Sequence, residues 1–223
     1  PYQYQKDNIC KMISIEDDIR NENYIESFEV PSEYLVQQME SIDEKIIYDT
    51  TNNKLVKPEN LDKRYMYIRG GVLCDEIGLG KTYSMIGLIA ETLDKQENPT
   101  LILCPTRLCK QWQEEIDKSY KMKTCIISTI SQFKKIMKQK IEDYDIVIMS
   151  YSFLISEKYR QYCEAINDGN EEFITENKFC NNKFEINTFN WNRIILDEAH
   201  DYFNIKFRRK KNNLAIYEEI IKL

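Results

Sequence analysis

Residues 70–82 read Gly70-Gly71-Val72-Leu73-Cys74-Asp75-Glu76-Ile77-Gly78-Leu79-Gly80-Lys81-Thr82. A short apolar run at 71–74, predicted to be a strand, leads into a glycine-rich turn, and residues 83–92 have helical character. Strand, glycine loop and helix in this order are the layout of a phosphate-binding loop. Gly78 and Gly80 permit turn conformations that other residues avoid, so the backbone amides can face an anion at a helix N-terminus.

The two residues that close this stretch carry the chemistry of such a loop. Lys81 would reach the β- and γ-phosphates, and the Thr82 hydroxyl would ligate Mg²⁺. The spacing departs from the usual G-x-x-x-x-G-K-[ST], because Asp75 occupies the first glycine position. The loop alone therefore leaves a second interpretation open, in which a strand-to-helix turn contains Gly-Lys-Thr by chance.

The composition is that of a globular protein. The 223 residues suffice for one sizeable domain with insertions, and 42% of them are hydrophobic. No run approaches the ~18 consecutive apolar residues of a membrane span, and no signal-peptide pattern opens the chain. The net charge of −6 excludes binding of nucleic acid through overall basicity. Because the chain starts with Pro1, we expect a fragment of a longer protein.

Seven cysteines and one histidine set the expectations for metals and redox state. No Cys-x-x-Cys pair occurs, so we expect no structural zinc site. Cys74, Cys104 and Cys125 lie in apolar strand-like runs, where a free thiol packs as a small hydrophobic side chain. The pattern favours a reducing, intracellular compartment.

Strands and helices alternate along most of the chain. We predict strands at 71–74, 100–104, 123–128, 145–149 and 191–196, helices at 4–18, 81–94, 107–120, 130–140 and 214–223, and a short turn or helix at 151–156. Short apolar strands between helices indicate an α/β fold with a parallel sheet covered on both faces. Right-handed crossovers then bring the strand ends, and the loops that follow them, to one edge.

Two polar segments interrupt this alternation, and we predict that both are surface insertions, at about 20–66 and 157–190. In the first, Ser32 begins a short predicted helix, and residues 50–54 form a turn that fits a hairpin. A basic cluster at 206–211 is compatible with a solvated loop or with a phosphate contact.

Asp197 and Glu198 end the last predicted strand. A carboxylate at this place can hold Mg²⁺, and an adjacent glutamate can orient or deprotonate the attacking water. The pair alone could equally cap a helix, but with Gly-Lys-Thr upstream in the same alternation it favours nucleotide hydrolysis. His200 is compatible with a surface histidine or with a residue that couples nucleotide to polymer.

Five segments, in order, resemble the first RecA-like lobe of the Swi/Snf-type ATPases of helicase superfamily two. They are the opening glutamine motif at 4–9, DEIGLGKT at 75–82, ILCPTRLCKQWQEEI at 102–116 (motif Ia), DIVIMSYSFL at 145–154 (motif Ib) and WNRIILDEAH at 191–200 (motif II). In this family an acidic residue regularly stands at the first loop position, which accounts for Asp75. The glycine pair and the long insertion before the loop look most like the subgroup that contains repair translocases and the helicase-like transcription factor.

The resemblance implies a role for each matching residue. Gln5 would read the adenine edge, with Gln3 as the alternative register. The nucleotide-binding residues would be Gln5, Glu76, Ile77, Gly78, Leu79, Gly80, Lys81 and Thr82, the Mg²⁺ ligands Thr82 and Asp197, and the catalytic residues Lys81, Asp197, Glu198 and His200. Those near a nucleic-acid backbone would be Pro105, Thr106, Arg107, Ser150 and Tyr151. Helix capping is the alternative for Thr106 and Ser150, and Trp112 is expected to pack in the core.

The resemblance also implies a function for residues 1–223 as one ATP-binding lobe. The parent protein would use ATP and Mg²⁺ to move along duplex DNA and remodel protein–DNA or DNA structures, in the nucleus or at a viral or cytoplasmic DNA-processing site. A second RecA-like lobe of the same chain would supply arginines that accelerate hydrolysis, so the fragment alone is expected to be nearly inactive. A strand-separating helicase, an RNA-directed ATPase and a catalytically silent scaffold are alternatives.

Overall fold

A computed structural model of the chain describes residues 1–20, 27–30, 47–49, 54–56, 64–67, 70–76, 78–180, 184–200 and 220. These residues belong to two compact units, 1–81 and 82–223. Within the described ranges, no helix is both long and apolar enough to cross a membrane.

The first unit begins with helix α1, Gln3–Arg20, which confirms the helix predicted over 4–18. Its short strands pair antiparallel: β1 (Ser27–Val30) with β4 (Arg64–Tyr67), and β2 (Ile47–Asp49) with β3 (Lys54–Val56). Asp49 lies opposite Lys54, and this pairing confirms the predicted hairpin. The short helix predicted to start at Ser32 lies outside the described residues.

The strand predicted at 71–74 is absent from the described structure, where residues 70–76 have no regular conformation. Val72 is 87% exposed and Cys74 is exposed, so the predicted packing of this thiol is also wrong. An apolar run of four residues forms a strand only where a neighbouring strand accepts and donates its backbone hydrogen bonds. None of the described strands pairs with this run.

A parallel sheet organises the second unit, and its described strands follow the order β6-β7-β5-β8. The strands are β5 (Thr100–Cys104), β6 (Thr124–Ile127), β7 (Ile146–Ser150) and β8 (Arg193–Leu196). Every residue of β5 and β7 is buried, as expected of central strands covered on both faces. In the parallel register Cys104 lies opposite Ser150, and Leu103 opposite Leu196. The residues that follow β5, β7 and β8 therefore meet at one edge.

Helices connect these strands. They are α2 (Lys81–Glu91), α3 (Thr106–Ser119), α4 (Ile130–Met137), α5 (Tyr151–Leu154), α6 (Glu157–Asn167) and α7 (Glu171–Glu176). The helices predicted at 81–94, 107–120 and 130–140 are confirmed, each with slightly earlier ends. Of the last predicted helix only Ile220 is described, and it is helical and buried.

Alternate side chains of β5 enter two separate cores, which confirms the predicted α/β fold with helices on both faces. Leu101 and Leu103 pack in a core with residues of α4 and α6, whereas Ile102 and Cys104 pack with residues of α2 and α3. Cys104 and Cys125 are buried as predicted, and burial raises the pKa of the Cys125 thiol to about 12.

Part of the segment 157–190, which was predicted as a second surface insertion, packs in a core. Tyr159 and Tyr162 of α6 are buried, and their rings lie edge-on to Phe133 at centroid distances of 5.4 and 5.2 Å. Burial raises the pKa of both phenols above its ordinary range. Tyr159 and Tyr162 lie at helical spacing, i and i+3, so they share one face of α6.

Candidate functional site

The loop that precedes α2 turns at two glycines. Gly78 and Gly80 have φ angles of 89° and 74°, in the left-handed region that side chains disfavour. Lys81 Nζ donates hydrogen bonds to the carbonyl oxygens of Asp75 and Glu76, at 2.8 and 3.0 Å. The lysine therefore lies across the backbone of its own loop. Of the predicted loop residues, Ile77 lies outside the described ranges.

Helix α1 holds this loop through side chains of its first two turns. Tyr4 Oη and Gln5 Nε2 both donate to the carbonyl oxygen of Leu79, at 2.8 and 3.0 Å. Asn8 Nδ2 donates to Asp75 Oδ2 at 3.0 Å. Asn8 had no predicted role, and its contact gives a physical reason for Asp75, because the side chain that replaces the usual glycine ties the loop to α1.

Gln5, and not Gln3, faces the loop. Gln5 is buried, and its Oε1 accepts a hydrogen bond from the backbone nitrogen of Tyr2 at 2.9 Å. Gln3 Nε2 instead donates to Asp7 in an exposed contact within α1. Both ends of the Gln5 amide are thus engaged within the first unit, and its contact with adenine remains a prediction.

In the second unit, Asp197 follows β8 and is fixed by three hydrogen bonds. Its backbone nitrogen donates to Leu103 O at 2.8 Å, and its carbonyl oxygen accepts from Tyr151 Oη at 2.9 Å. Its carboxylate oxygen Oδ2 accepts from Trp112 Nε1 at 2.8 Å. Trp112 and Tyr151 are only 3% and 1% exposed. The core position predicted for Trp112 is confirmed, but its contact with Asp197 was not foreseen.

The residue after Asp197 changes the course of the backbone. Glu198 has a φ of 54°, which is uncommon for any residue other than glycine. Its Oε2 lies 3.3 Å from His200 Nδ1, and the two side chains are 42% and 70% exposed. Glu198 is therefore in contact with solvent, as required of a base that takes a proton from water.

A pair of hydroxyl groups lies at the edge of the sheet where β5 and β7 end. Thr106 Oγ1, at the start of α3, is 2.7 Å from Ser152 Oγ in α5, which lies 3.3 Å from Ser150 Oγ. Thr106 and Ser152 are exposed, whereas Ser150 and Tyr151 are buried. Neither α3 nor α5 has a side-chain cap, so the capping alternative for Thr106 and Ser150 is not what the structure shows.

The other residues expected near a nucleic acid begin α3. Pro105 is its N-cap residue, and Arg107 is exposed in its first turn. Ser152 was missed by the sequence reasoning, although it is the first exposed residue after β7. One signal was present in the sequence, because Ser152 is the one polar residue in the run Tyr151 to Leu154, whose other members are buried.

A pair of buried thiols lies near Asp197. Cys104 Sγ lies 3.6 Å from Cys109 Sγ. This contact, burial and the nearby Asp197 carboxylate together raise the pKa of the Cys104 thiol. The same contact lowers the pKa of the Cys109 thiol, so Cys104 is the member of the pair that keeps its proton.

The donor atoms suit a cation that arrives with a nucleotide. In the described ranges, no group of three or more His, Cys, Asp or Glu side chains could hold a metal ion. Mg²⁺ usually binds proteins through one or two oxygen ligands together with substrate phosphates. The Asp197 carboxylate and the Thr82 hydroxyl are oxygen donors of this kind, so they fit Mg²⁺ better than a metal that needs a protein cage.

The SNF2-related domain family matches residues 4–219. The chain belongs to this family. The resemblance to the Swi/Snf-type ATPases is thereby confirmed, and the parallel sheet agrees with the predicted RecA-like α/β lobe.

This SNF2-related domain is similar to longer proteins. "ATP-dependent helicase rhp16" of Schizosaccharomyces pombe is 32% identical over 131 residues, which cover 59% of this chain and 14% of the relative. "DNA repair protein RAD5" of Debaryomyces hansenii is 32% identical over 173 residues, which cover 68% of this chain and 13% of the relative. The chain thus spans a small part of both. A solved structure, the Sulfolobus solfataricus SWI2/SNF2 ATPase core in complex with dsDNA, aligns with a TM-score of 0.45 and 23% identity over 67% of this chain and 24% of that chain.

Proposed function

We propose that this SNF2-related domain binds ATP with Mg²⁺ and hydrolyses it within a DNA-dependent ATPase that moves along duplex DNA and remodels protein–DNA or DNA structures. One observation carries the proposal: at the end of β8, a carboxylate held by buried side chains is followed by an exposed glutamate. Hydrolysis of a nucleotide needs one carboxylate for the metal and one for the water. The family, and the helicase and repair names of the relatives, support the choice of DNA.

The loop of the first unit would bind the phosphates. The Lys81 ammonium has three donors, and two of them contact loop carbonyl oxygens. These weak neutral acceptors would be exchanged for charged phosphate oxygens, which form stronger hydrogen bonds. Gly78 and Gly80 allow the loop amides to turn towards the anion. The roles of Glu76, Ile77 and Leu79 in this cradle are part of the proposal.

The end of β8 would serve the reaction itself. Mg²⁺, when bound, neutralises charge on the phosphate oxygens. Asp197 and Thr82 would hold it through their oxygen atoms. Glu198 would orient the attacking water and accept its proton, with His200 at 3.3 Å restricting the carboxylate. His200 would in addition couple the state of the nucleotide to the polymer.

The exposed hydroxyl pair would contact one strand of the nucleic acid. Thr106 and Ser152 offer hydroxyl donors, and Arg107 offers a cation, all of which suit phosphate oxygens. Ser150 and Tyr151 are buried and would support this edge from inside. Because the chain as a whole is acidic, contact with the polymer would be local, and a second RecA-like lobe of the same protein would complete the binding surface.

The decisive experiment compares Glu198→Gln with Glu142→Gln, a matched change at an exposed glutamate, in the full-length protein. Loss of a general base lowers a rate by about 10²- to 10⁴-fold, so we expect ATP turnover of Glu198→Gln to fall in that range while nucleotide binding persists. Glu142→Gln should match the wild type. Unchanged ATP turnover in Glu198→Gln would refute the proposed DNA-dependent ATPase and favour a catalytically silent scaffold.

The same preparation identifies the polymer. We expect duplex DNA to stimulate ATP turnover of the wild type more than single-stranded DNA or RNA of equal length does. Preferential stimulation by single-stranded DNA would instead indicate a strand-separating helicase, and stimulation by RNA alone an RNA-directed ATPase.

A further inference from the structure

The hydrogen bonds of Asp197 act on different parts of the residue. Leu103 O and Tyr151 Oη contact its backbone, at 2.8 and 2.9 Å. Trp112 Nε1 contacts its carboxylate, at Oδ2. The backbone contacts determine where the residue lies, but they leave its carboxylate free to rotate. Among the described residues, the indole of Trp112 is therefore the group that sets the direction of this carboxylate.

Trp112 cannot easily move away from this contact. Its side chain lies in the core formed with Ile86, Ile116 and Ile195, and a side chain packed at this density has few rotamers available. A buried indole needs an acceptor for its N–H group. Since packing holds the ring, the ring in turn holds Oδ2 and leaves Oδ1 as the carboxylate oxygen that accepts no hydrogen bond from a described residue.

A second tryptophan, which is partly buried, donates its N–H to a neutral acceptor. Trp191 Nε1 also donates a hydrogen bond of 2.8 Å, but its acceptor is the backbone carbonyl oxygen of Ile186. The chain therefore satisfies one indole with a neutral backbone group and the other with the side chain of Asp197. The two tryptophans form an internal comparison, in which the buried indole donates to a carboxylate and the partly buried indole to a backbone carbonyl oxygen.

We propose that Trp112 is a positioning residue that orients the Asp197 carboxylate towards a divalent cation bound with the nucleotide. This inference rests on the function proposed above. A carboxylate already turned to its working direction loses less rotational freedom when it binds the cation, and removal of such outer contacts typically lowers metal affinity by about 10- to 100-fold. The alternative is that Trp112 is only a core residue, whose loss would weaken every property of the fold together.

The test removes the N–H donor and keeps the shape of the ring. In the full-length protein, Trp112 is replaced by 3-benzothienylalanine, an isostere with sulfur in place of N–H, and the same replacement is made at Trp191 as the matched control. Trp112→Phe and Trp191→Phe form a second pair. Mn²⁺ is titrated by electron paramagnetic resonance in the presence of a non-hydrolysable ATP analogue, and binding of the analogue alone is measured in EDTA.

We expect both Trp112 replacements to weaken Mn²⁺ binding in the nucleotide complex by about 10- to 100-fold, with nucleotide affinity in EDTA within about twofold of the wild type. Both Trp191 replacements should leave both quantities within about twofold, because Trp191 donates to a backbone carbonyl oxygen and not to a proposed metal ligand.

Two results would overturn the inference alone: equal Mn²⁺ affinity in the Trp112 and Trp191 isosteres, or an equal loss of nucleotide affinity with and without metal. A wild-type protein that binds no nucleotide would overturn the proposed function, and the inference with it.

Discussion

The loop before α2 and the end of β8 are held in opposite ways, each within its own unit. Tyr4, Gln5 and Asn8 reach the loop from one helix, in contacts that are exposed or half-buried. Asp197 is instead fixed by Trp112 and Tyr151, two aromatic side chains buried in the core. The loop is held by the side chains of one helix, of which only Gln5 is buried, whereas Asp197 is held by two side chains that both belong to the packed interior.

Because of this difference, the two regions are expected to respond differently when a nucleotide binds. Hydrogen bonds near solvent contribute about 0.5–1.5 kcal/mol each and can be exchanged for a ligand. A group fixed by core packing keeps its geometry, because dense interiors resist small displacements. We therefore expect the loop to adapt when a nucleotide binds and Asp197 to remain where it is.

The largest effect is expected where the loop must exchange its contacts. Lys81→Ala removes the cation that would leave the carbonyl oxygens of Asp75 and Glu76 for phosphate. Loss of one preorganised electrostatic contact to a reacting group costs about 10²- to 10³-fold in rate, and we expect ATP turnover of the full-length protein to fall at least that far. Lys121→Ala, at an exposed lysine, is the control and should not change turnover. Full activity in Lys81→Ala would remove the loop from the proposed site.

The next largest effect is expected on the free energy of unfolding, when the core beside Asp197 is changed. Trp112→Ala leaves a cavity in the core and removes the hydrogen bond to Asp197. Substitutions of this size typically lower the free energy of unfolding by about 3–5 kcal/mol, and urea unfolding followed by circular dichroism measures it. Tyr4→Ala, in the more exposed contact, should cost about 1 kcal/mol. Similar losses of unfolding free energy in both variants would show that the two regions do not differ in how firmly they are held.

The smallest effect tests the tie between α1 and the first position of the loop. Asn8→Ala removes the donor to Asp75 Oδ2, a contact worth about 0.5–1.5 kcal/mol. We expect the affinity for a fluorescent ATP analogue to fall by about 2- to 10-fold, the same free energy expressed as binding. Gln3→Ala removes an exposed hydrogen bond within α1 and should leave the affinity unchanged. Tighter binding in Asn8→Ala would mean that the tie holds the loop in a non-binding shape.

Local patterns predicted the elements that depend on local sequence. The strands at 100–104 and 145–149 were found because each is a continuous apolar run bounded by turn or helix signals, and both are buried in the structure. The run at 71–74 looked the same but formed no strand, since a strand also needs a partner that lies elsewhere in the chain. Residues 157–190 were predicted as a surface insertion, and the packing of Tyr159 and Tyr162 against Phe133 depends on a residue that lies elsewhere in the chain.

The same limit applies to the candidate site. Asp197 and Glu198 were predicted because their positions follow directly from a strand end. The contact between Trp112 and Asp197 joins residues 85 positions apart, and no local pattern reveals which acceptor a buried indole will find. Asp75 was an anomaly of spacing until its partner Asn8, 67 positions away, was located. Long-range side-chain pairs are thus the part that sequence periodicity does not encode.

Helix α3 connects the exposed hydroxyl pair at the edge of the sheet with the buried side chain that contacts Asp197. It begins with Thr106, which is exposed and paired with Ser152, and it carries Trp112 in its interior. At ~1.5 Å of rise per residue, the two residues are about 9 Å apart along the axis. Because the core around Trp112 resists displacement, the indole that contacts Asp197 also anchors the first turn of α3, and with it the exposed hydroxyl of Thr106. The exposed start of α3 and the residue that follows β8 are thus connected through one helix and one buried side chain.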